Sequence, residues 1–145
     1  MRISAKARYA LAATIEIATL WEQCTNITCT HISNKLGISK IFLEQCLASL
    51  KNANILISVK GQGGGYRLSK HPKDITAWEV LISIEASLHE KTEITSTNNL
   101  IEQSLSFVFC SLDMSIKNTL LSITLEDLIK IAKSTNKDQS FMINM

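Results

Sequence analysis

No apolar run in the chain approaches the ~20 residues needed to cross a bilayer, which argues against a membrane-spanning helix. The opening residues, MRISAKARYALAATIEIATLW, lack a charge-free apolar block followed by a small-residue cleavage site. Their basic residues fall inside a helical pattern, so the segment reads as a structural helix and a cytoplasmic location is expected. Histidine is sparse: His31, His71 and His89 belong to different elements, and none pairs with a cysteine at metal-ligand spacing. The four cysteines, Cys24, Cys29, Cys46 and Cys110, follow no disulfide-scaffold spacing. Each is expected to be a buried thiol in a reducing compartment, including Cys24 and Cys29, which bracket a helix start. Proline occurs once, at Pro72, and four of the five glycines sit together in GQGGG, residues 61–65. That stretch lacks the GK[ST] ending of a phosphate loop and joins two strands instead of preceding a helix. No catalytic set emerges, and the chain reads as a non-enzyme without metal or cofactor. There is no internal repeat and no long low-complexity segment.

What is present fits a small globular protein. A chain of 145 residues, 46% hydrophobic and 19% charged, has room for one compact module plus an appendage. The net charge of +2 hides an uneven distribution. Residues 1–75 hold ten Lys and Arg against four Asp and Glu, a net of +6, whereas residues 76–145 hold five against nine, a net of −4. A basic half joined to an acidic half is the electrostatic footprint of a nucleic-acid module attached to something that does not touch nucleic acid.

Periodicity divides the chain further. Residues 5–21 place Tyr9, Ala13, Ile17 and Leu20 on one helical face, with Ser4 as cap. Thr28 caps a second helix that carries Ile32 and Leu36 and ends at Gly37; Ser39 caps a third, reaching about Asn52, with Leu43, Cys46, Leu47 and Leu50 inward. Two helices around a glycine turn outline a helix-turn-helix. ILISVK and YRLS, residues 55–60 and 66–69, alternate as a hairpin around the glycine tip, flanked by Lys60, Arg67 and Lys70, which reads as a wing. Thr76 with Glu79 forms a capping box, stapled by Ile75 and Val80, for a helix to about Ala86. Residues 87–99 are polar and read as a surface loop. From Leu100 a long helix carries Ile101, Leu105, Val108, Leu112, Ile116, Leu120 and Ile123 on one stripe, widened by Phe107 and Phe109. That stripe is too long for so small a module to cover, so a second subunit is expected on it. Thr124 with Asp127, stapled by Ile123 and Leu128, starts a last helix through about Lys133, and the apolar tail SFMINM is expected to dock. The fold class is mostly α with a small β-hairpin wing. It comprises a winged helix-turn-helix over 1–86, a loop over 87–99, and a dimerisation helix, C-terminal helix and tail over 100–145.

The segments MRISAKARYALAATIEIA, ISKIFLEQCLASLKNANILISVKGQGGGYRLSK and ITAWEVLISIEA resemble the Rrf-two (BadM-type) regulators, well over residues 1–86 and loosely along the long helix. The resemblance implies homodimers that bind palindromic promoter DNA, usually as repressors, with the long helix pairing the subunits. The tail helix TLEDL and the closing apolar peptide look most like the branch that represses cysteine metabolism, which implies an enzyme of cysteine synthesis as a partner. Lys60 stands where the family commonly has Arg, and Ala5 and Ala7 where it has Thr and Gly. Cluster-binding members carry three cysteines after the wing's helix; residues 87–109 here contain none, so no iron–sulfur cluster is expected.

With the inward face of the third helix assigned, Ile41, Gln45, Ala48 and Asn52 lie opposite, with Glu44 at the edge. Gln45 suits the N6 and N7 edge of adenine, Glu44 suits cytosine N4, and Ile41 suits a thymine methyl. Arg2, Lys6, Arg8, Ser39 and Lys40 read as phosphate contacts, and Lys60 as a wing contact near the minor groove. Ser4, the tip glycines Gly61, Gly63 and Gly64, and Tyr66 complete the expected DNA-binding set. Two other readings stand beside this one: a subunit that docks a metabolic enzyme through its tail, and a redox sensor using Cys24, Cys29 or Cys110.

Overall fold

The computed structural model describes residues 3–91 and 100–143, with side chains of the final helix described through Ser134. Helices α1 (Ala5–Thr19), α2 (Cys29–Leu36) and α3 (Lys40–Asn52) precede a hairpin of β1 (Leu56–Val59) and β2 (Gly65–Leu68). Then follow α4 (Ala77–Ile82), α5 (Leu100–Leu121) and α6 (Leu125–Ile143). The arrangement is mostly helical with a two-stranded antiparallel wing, as the periodicity indicates. Among the described residues no helix is long and apolar enough to cross a membrane.

Small residues set how the core closes. On α1 the buried stripe is Ala7, Ala10, Ala13 and Ile17, with Thr14 and Ala18 beside it. Alanine leaves room for a neighbouring backbone to come close, and α1 is the element against which α2, α3, α4 and α6 pack. Tyr9, expected on this face, lies at its edge and meets the ring of Phe42 edge-on at 5.6 Å. Thr14 satisfies its buried hydroxyl by donating to the Ala10 carbonyl at 2.6 Å. Leu43, Cys46, Leu47 and Leu50 of α3 are all 0% exposed, as their spacing requires.

The helix ends follow the capping signals with two exceptions. The Ser4 hydroxyl accepts from the Ala7 amide at 3.1 Å, the Thr28 hydroxyl accepts from His31 at 3.1 Å, and Gly37 ends α2 in the left-handed region at φ 66°. Ser39 occupies the cap position of α3 but its side chain makes no capping bond. Thr76 accepts from the Glu79 amide at 3.2 Å, yet the Glu79 carboxylate stands 3.4 Å from Lys70 Nζ and leaves that box half-formed. Thr124 and Asp127 make the full reciprocal pair, at 3.0 and 3.1 Å, and those bonds hold the Asp127 carboxyl below its ordinary range.

Three element boundaries differ from expectation. Helix α4 stops at Ile82, where the Leu81 carbonyl is shared between the Ile84 and Glu85 amides, and a separate 3₁₀ turn covers Ala86–Leu88. Helix α6 runs past Lys133 to Ile143, so most of the tail continues the helix; the docking expected of its side chains lies outside the described residues. Ile27 forms a bridge to Tyr66, through Ile27 N to Tyr66 O at 2.8 Å and Tyr66 N to Ile27 O at 2.7 Å. This extends the wing's pairing to the loop before α2, a contact without a periodic signal.

The cysteines also depart from the expected burial. Cys46 is fully buried and Cys29 partly so, but Cys24 and Cys110 are exposed. Cys24 lies in the left-handed region at φ 52°, at the end of a 3₁₀ turn over Trp21–Gln23, which swings its side chain off the core. Cys110 belongs to α5, which has no buried residue.

A second backbone bridge, Thr76 to Thr124, ties the C-terminal segment to the first module. The Ala77 amide donates to Ile123 at 2.8 Å and the Leu125 amide to Ile75 at 2.9 Å. Leu125 is thereby placed in the same core as α1 and α3, at 0% exposure. Leu125→Ala should lower stability by about 2–5 kcal/mol through lost burial and the cavity left behind. Urea unfolding monitored by Trp fluorescence and circular dichroism measures this; a loss under about 0.5 kcal/mol would show the core tolerates the gap.

Candidate nucleic-acid interface

Helix α3 separates two chemistries along one cylinder. Its inner face is wholly buried, while Ile41, Glu44, Gln45, Ala48 and Asn52 are exposed on the other side. Ile41 stands 73% exposed, and a branched aliphatic side chain so placed contributes nothing to the core. Ser39 and Lys40 sit exposed at the amino end of this helix, where unpaired amides and the helix dipole favour an anion. Side chains able to read base edges therefore lie on the same helix as groups suited to phosphate.

The wing packs beside this helix. β1 and β2 pair in the register Leu56 to Leu68, Ile57 to Arg67, Ser58 to Tyr66 and Val59 to Gly65. Leu56 and Leu68 are buried, and Lys60 is exposed where β1 enters the tip. The four tip glycines serve different ends. Gly61 and Gly63 have positive φ, 90° and 74°, and open space where a Cβ would stand. A Cβ on Gly64 would meet the Val59 and Gly61 carbonyl oxygens, and one on Gly65, at φ 143°, would lie 2.5 Å from the Ile27 carbonyl oxygen. The missing side chain of Gly64, one of the tip glycines expected at the DNA, is required by the hairpin itself. Asn26 anchors the tip by donating from Nδ2 to the Gly63 carbonyl at 3.1 Å. Sequence spacing gave no sign of either Asn26 or Gly65 in this role, since both contacts join segments far apart in the chain.

Tyr66, Cys29, Lys40 and Glu44 gather where α2, α3 and β2 meet. Burial, the Cys29 thiol and the Glu44 carboxylate raise the Tyr66 phenol above its ordinary range. Burial and Glu44 raise the Cys29 thiol, with Lys40 opposing. Both groups are neutral near pH 7, so the Tyr66 hydroxyl keeps its proton to donate and Cys29 is a poor nucleophile.

At the amino end of α1, Lys6 is partly buried and Arg8 exposed. Ser4 is engaged inside the protein: it caps α1, and its amide donates to Glu85 Oε1 at 2.8 Å. The Ser4 hydroxyl and amide hold the Glu85 carboxyl below its ordinary range. Arg2 lies outside the described residues. Along α5, Ile101, Leu105, Val108 and Leu112 are exposed, whereas Ile116 and Leu120 are half-buried against α4. Among the described residues no three His, Cys, Asp or Glu side chains converge as a metal site.

Residues 3–131 match the family model described as Rrf2, iron-dependent transcriptional regulator. The chain belongs to the Rrf2 family. It is 31% identical over 135 residues to the HTH-type transcriptional regulator IscR of Vibrio atlanticus, covering 90% of this chain and 76% of that one. It is 32% identical to IscR of Photobacterium profundum, with the same coverage of 90% and 76%. Among solved structures, the global cysteine regulator CymR of B. subtilis superposes with a TM-score of 0.78 at 29% identity, over 90% of this chain and 98% of that one. IscR of T. potens superposes with a TM-score of 0.76 at 28% identity, over 93% and 90%. This Rrf2 chain is accordingly a DNA-binding transcriptional regulator and not an enzyme. The family resemblance noted in its sequence holds over more of the chain than the first 86 residues.

Gly65→Ala should displace the wing of this Rrf2 regulator from the Ile27 backbone, because both the close carbonyl and the positive φ oppose a side chain. Amide exchange at Ile27 and Tyr66 should quicken by about tenfold or more, whereas Gly63→Ala, strained by its positive φ but with open space for the Cβ, should quicken those amides less. Equal protection in Gly65→Ala would mean the bridge does not depend on the missing Cβ.

Proposed function

We propose that this Rrf2 regulator binds palindromic promoter DNA as a homodimer in the cytoplasm and represses transcription there, without an iron–sulfur cluster. The observation that carries this reading is the division of α3 into a fully buried face and an exposed face bearing Ile41, Glu44 and Gln45, beside a glycine wing. With α3 in the major groove, Gln45 pairs with adenine, Glu44 accepts from cytosine and Ile41 covers a thymine methyl. Ser39, Lys40, Lys6 and Arg8 contact phosphates, Arg2 extends that set, and Tyr66 adds a neutral donor. Lys60 follows the minor groove as the backbone at Gly61 and Gly63 approaches the duplex. Ser4 acts by shaping the α1 terminus. Repression follows from a dimer occupying a promoter that polymerase must use. Gln45→Ala should cost about 1–3 kcal/mol at one base position, while Lys40→Ala or Lys60→Ala should weaken all sequences alike and flatten the salt slope by about one unit. Binding titrations on a base-substituted operator series at several salt concentrations separate the two; unaltered base preference in Gln45→Ala would place the reading face elsewhere.

Pairing of subunits is supported by α5, whose apolar stripe from Ile101 through Leu112 stays exposed along a helix of roughly 33 Å. A second copy covers it, continuing onto the half-buried Ile116 and Leu120. Leu105→Glu or Leu112→Glu should give monomers or insoluble protein and lose tight binding to two half-sites about 34–36 Å, or a multiple of that, apart. Sedimentation of the unaltered protein as a well-folded monomer at micromolar concentration would remove this proposal.

The donor set does not fit a cluster. Residues 87–109 hold no cysteine, Cys46 is buried in the core, and Cys24 and Cys29 belong to the DNA-binding half. Cys110 is the nearest thiol, and hard oxygen donors replace thiolates poorly. An enzyme of cysteine synthesis acting through the tail is the first partner to test, a reading supported by the structural likeness to the cysteine regulator of B. subtilis. Protein expressed and purified without oxygen should carry no stoichiometric iron or acid-labile sulfide and should bind DNA equally before and after exposure to air. Iron and sulfide lost together with specific binding would reverse the assignment.

A further inference from the structure

A cavity of about 340 Å³ opens between the end of α1, the 3₁₀ turn at Trp21–Gln23 and strand β2 of the wing. Ile17, Leu20, Trp21 and Leu68 form its apolar wall, and Glu22 and Arg67 bring one negative and one positive charge to the same space. Among the described residues neither charge has an ion-pair or side-chain hydrogen-bond partner, although both line one cavity. His71 closes one end, stacked edge-on with Trp21 at 5.6 Å. Its Nδ1 accepts from the Lys73 amide at 3.0 Å, which leaves Nε2 as the protonated donor in the neutral ring.

We propose that this cavity binds a free α-amino acid with an apolar side chain, and that its occupancy adjusts DNA affinity through the wing. The volume lies at the small end of the roughly 300–1,000 Å³ typical of ligand pockets, which suits a molecule of that size. The Arg67 guanidinium matches a carboxylate in a two-point geometry, and the Glu22 carboxylate takes an ammonium. An anion without an ammonium would face Glu22 as a like charge, and a cation without a carboxylate would face Arg67 in the same way. A zwitterion satisfies both, and the remaining wall takes its apolar side chain. Arg67 and Leu68 belong to β2, the strand that also carries Gly65 and Tyr66, so a ligand seated between Arg67 and Glu22 ties the wing's stem to the end of α1. A ligand that contacts the wing can bias its position and so couple to DNA binding. That coupling rests on the DNA-binding role of the wing; ligand binding does not.

Isothermal titration of the full chain with L-leucine, L-methionine and L-phenylalanine tests the site, with N-acetyl-L-leucine and isopentylamine as analogues lacking one charge. At least one amino acid should bind saturably at one per chain, and both analogues should bind about tenfold or more weakly. Arg67→Gln and Glu22→Gln, each checked for native circular dichroism, should each weaken the amino acid by a similar factor of about ten. On a promoter fragment recovered by genome-wide footprinting, saturating amino acid should shift DNA affinity by about threefold or more, and Glu22→Gln should abolish that shift while leaving ligand-free DNA binding intact. No binding by any of the three amino acids, equal binding of N-acetyl-L-leucine, or binding undiminished in both variants overturns the site. Amino-acid binding without any shift overturns the coupling. Failure of the free protein to bind DNA would count against the DNA-contact reading, while the calorimetry still reports on the cavity.

Discussion

The packing of α3 against α1 is the constraint on which the remaining structure depends. Four inward residues of α3, all without exposure, meet a stripe of alanines on α1 that permits close approach of the two helices. Because this contact sets the rotation of α3 about its own axis, it also decides which side chains face outward. Ile41, Glu44 and Gln45 are presented because Leu43, Cys46, Leu47 and Leu50 have no other place to go. The face proposed to read bases is the geometric complement of the core, and a rotation by one residue would bury a charge at Glu44 and expose a leucine.

Backbone bridges carry that placement outward. The exchange between Ile27 and Tyr66 couples the loop before α2 to the wing, so the hairpin is held from both the α3 side and the α2 side. The exchange between Thr76 and Thr124 works in the same way at the other end, seating Leu125 in the core and fixing where α6 begins. Both bridges satisfy amides that would otherwise be stranded beside apolar packing, which is where an unmade hydrogen bond is most costly. Glycine at 65 belongs to the first bridge: a side chain there would collide with the Ile27 carbonyl.

Two kinds of surface remain once this frame is complete. One is basic and polar, at the amino end of α3 and along the wing, and the other is the apolar face of α5. Their chemistry separates their roles: exposed cations lose little by meeting phosphate and water together, whereas exposed leucine, valine and phenylalanine gain from leaving water altogether. Glu44 is the exception on the basic side, and it adds to the burial that raises both the Cys29 thiol and the Tyr66 phenol. A partly buried thiol raised in this way is a weak candidate for redox signalling, whereas Cys24 and Cys110 stand exposed.

Helices α1 through α3, the hairpin, the inward face of α3 and the exposed stripe of α5 were legible from residue spacing, because each follows from local periodicity and capping chemistry. The outward face of α3 followed as well, being fixed by the same periodicity. Family membership was legible in the motifs of the first 86 residues, and the family match extends it to residue 131. Tertiary structure decided the rest. Local pattern could not place Asn26 on the wing tip, Ile27 on β2 or Leu125 in the core, since each contact spans a long stretch of chain and leaves no trace in spacing. It could not separate the glycines that a turn requires by φ from those that a neighbouring carbonyl requires by space. Nor could it show that Ser4 is met by Glu85, that Glu79 leaves its cap for Lys70, or that Cys24 turns outward, because a polar side chain chooses among partners that only the folded chain brings within reach.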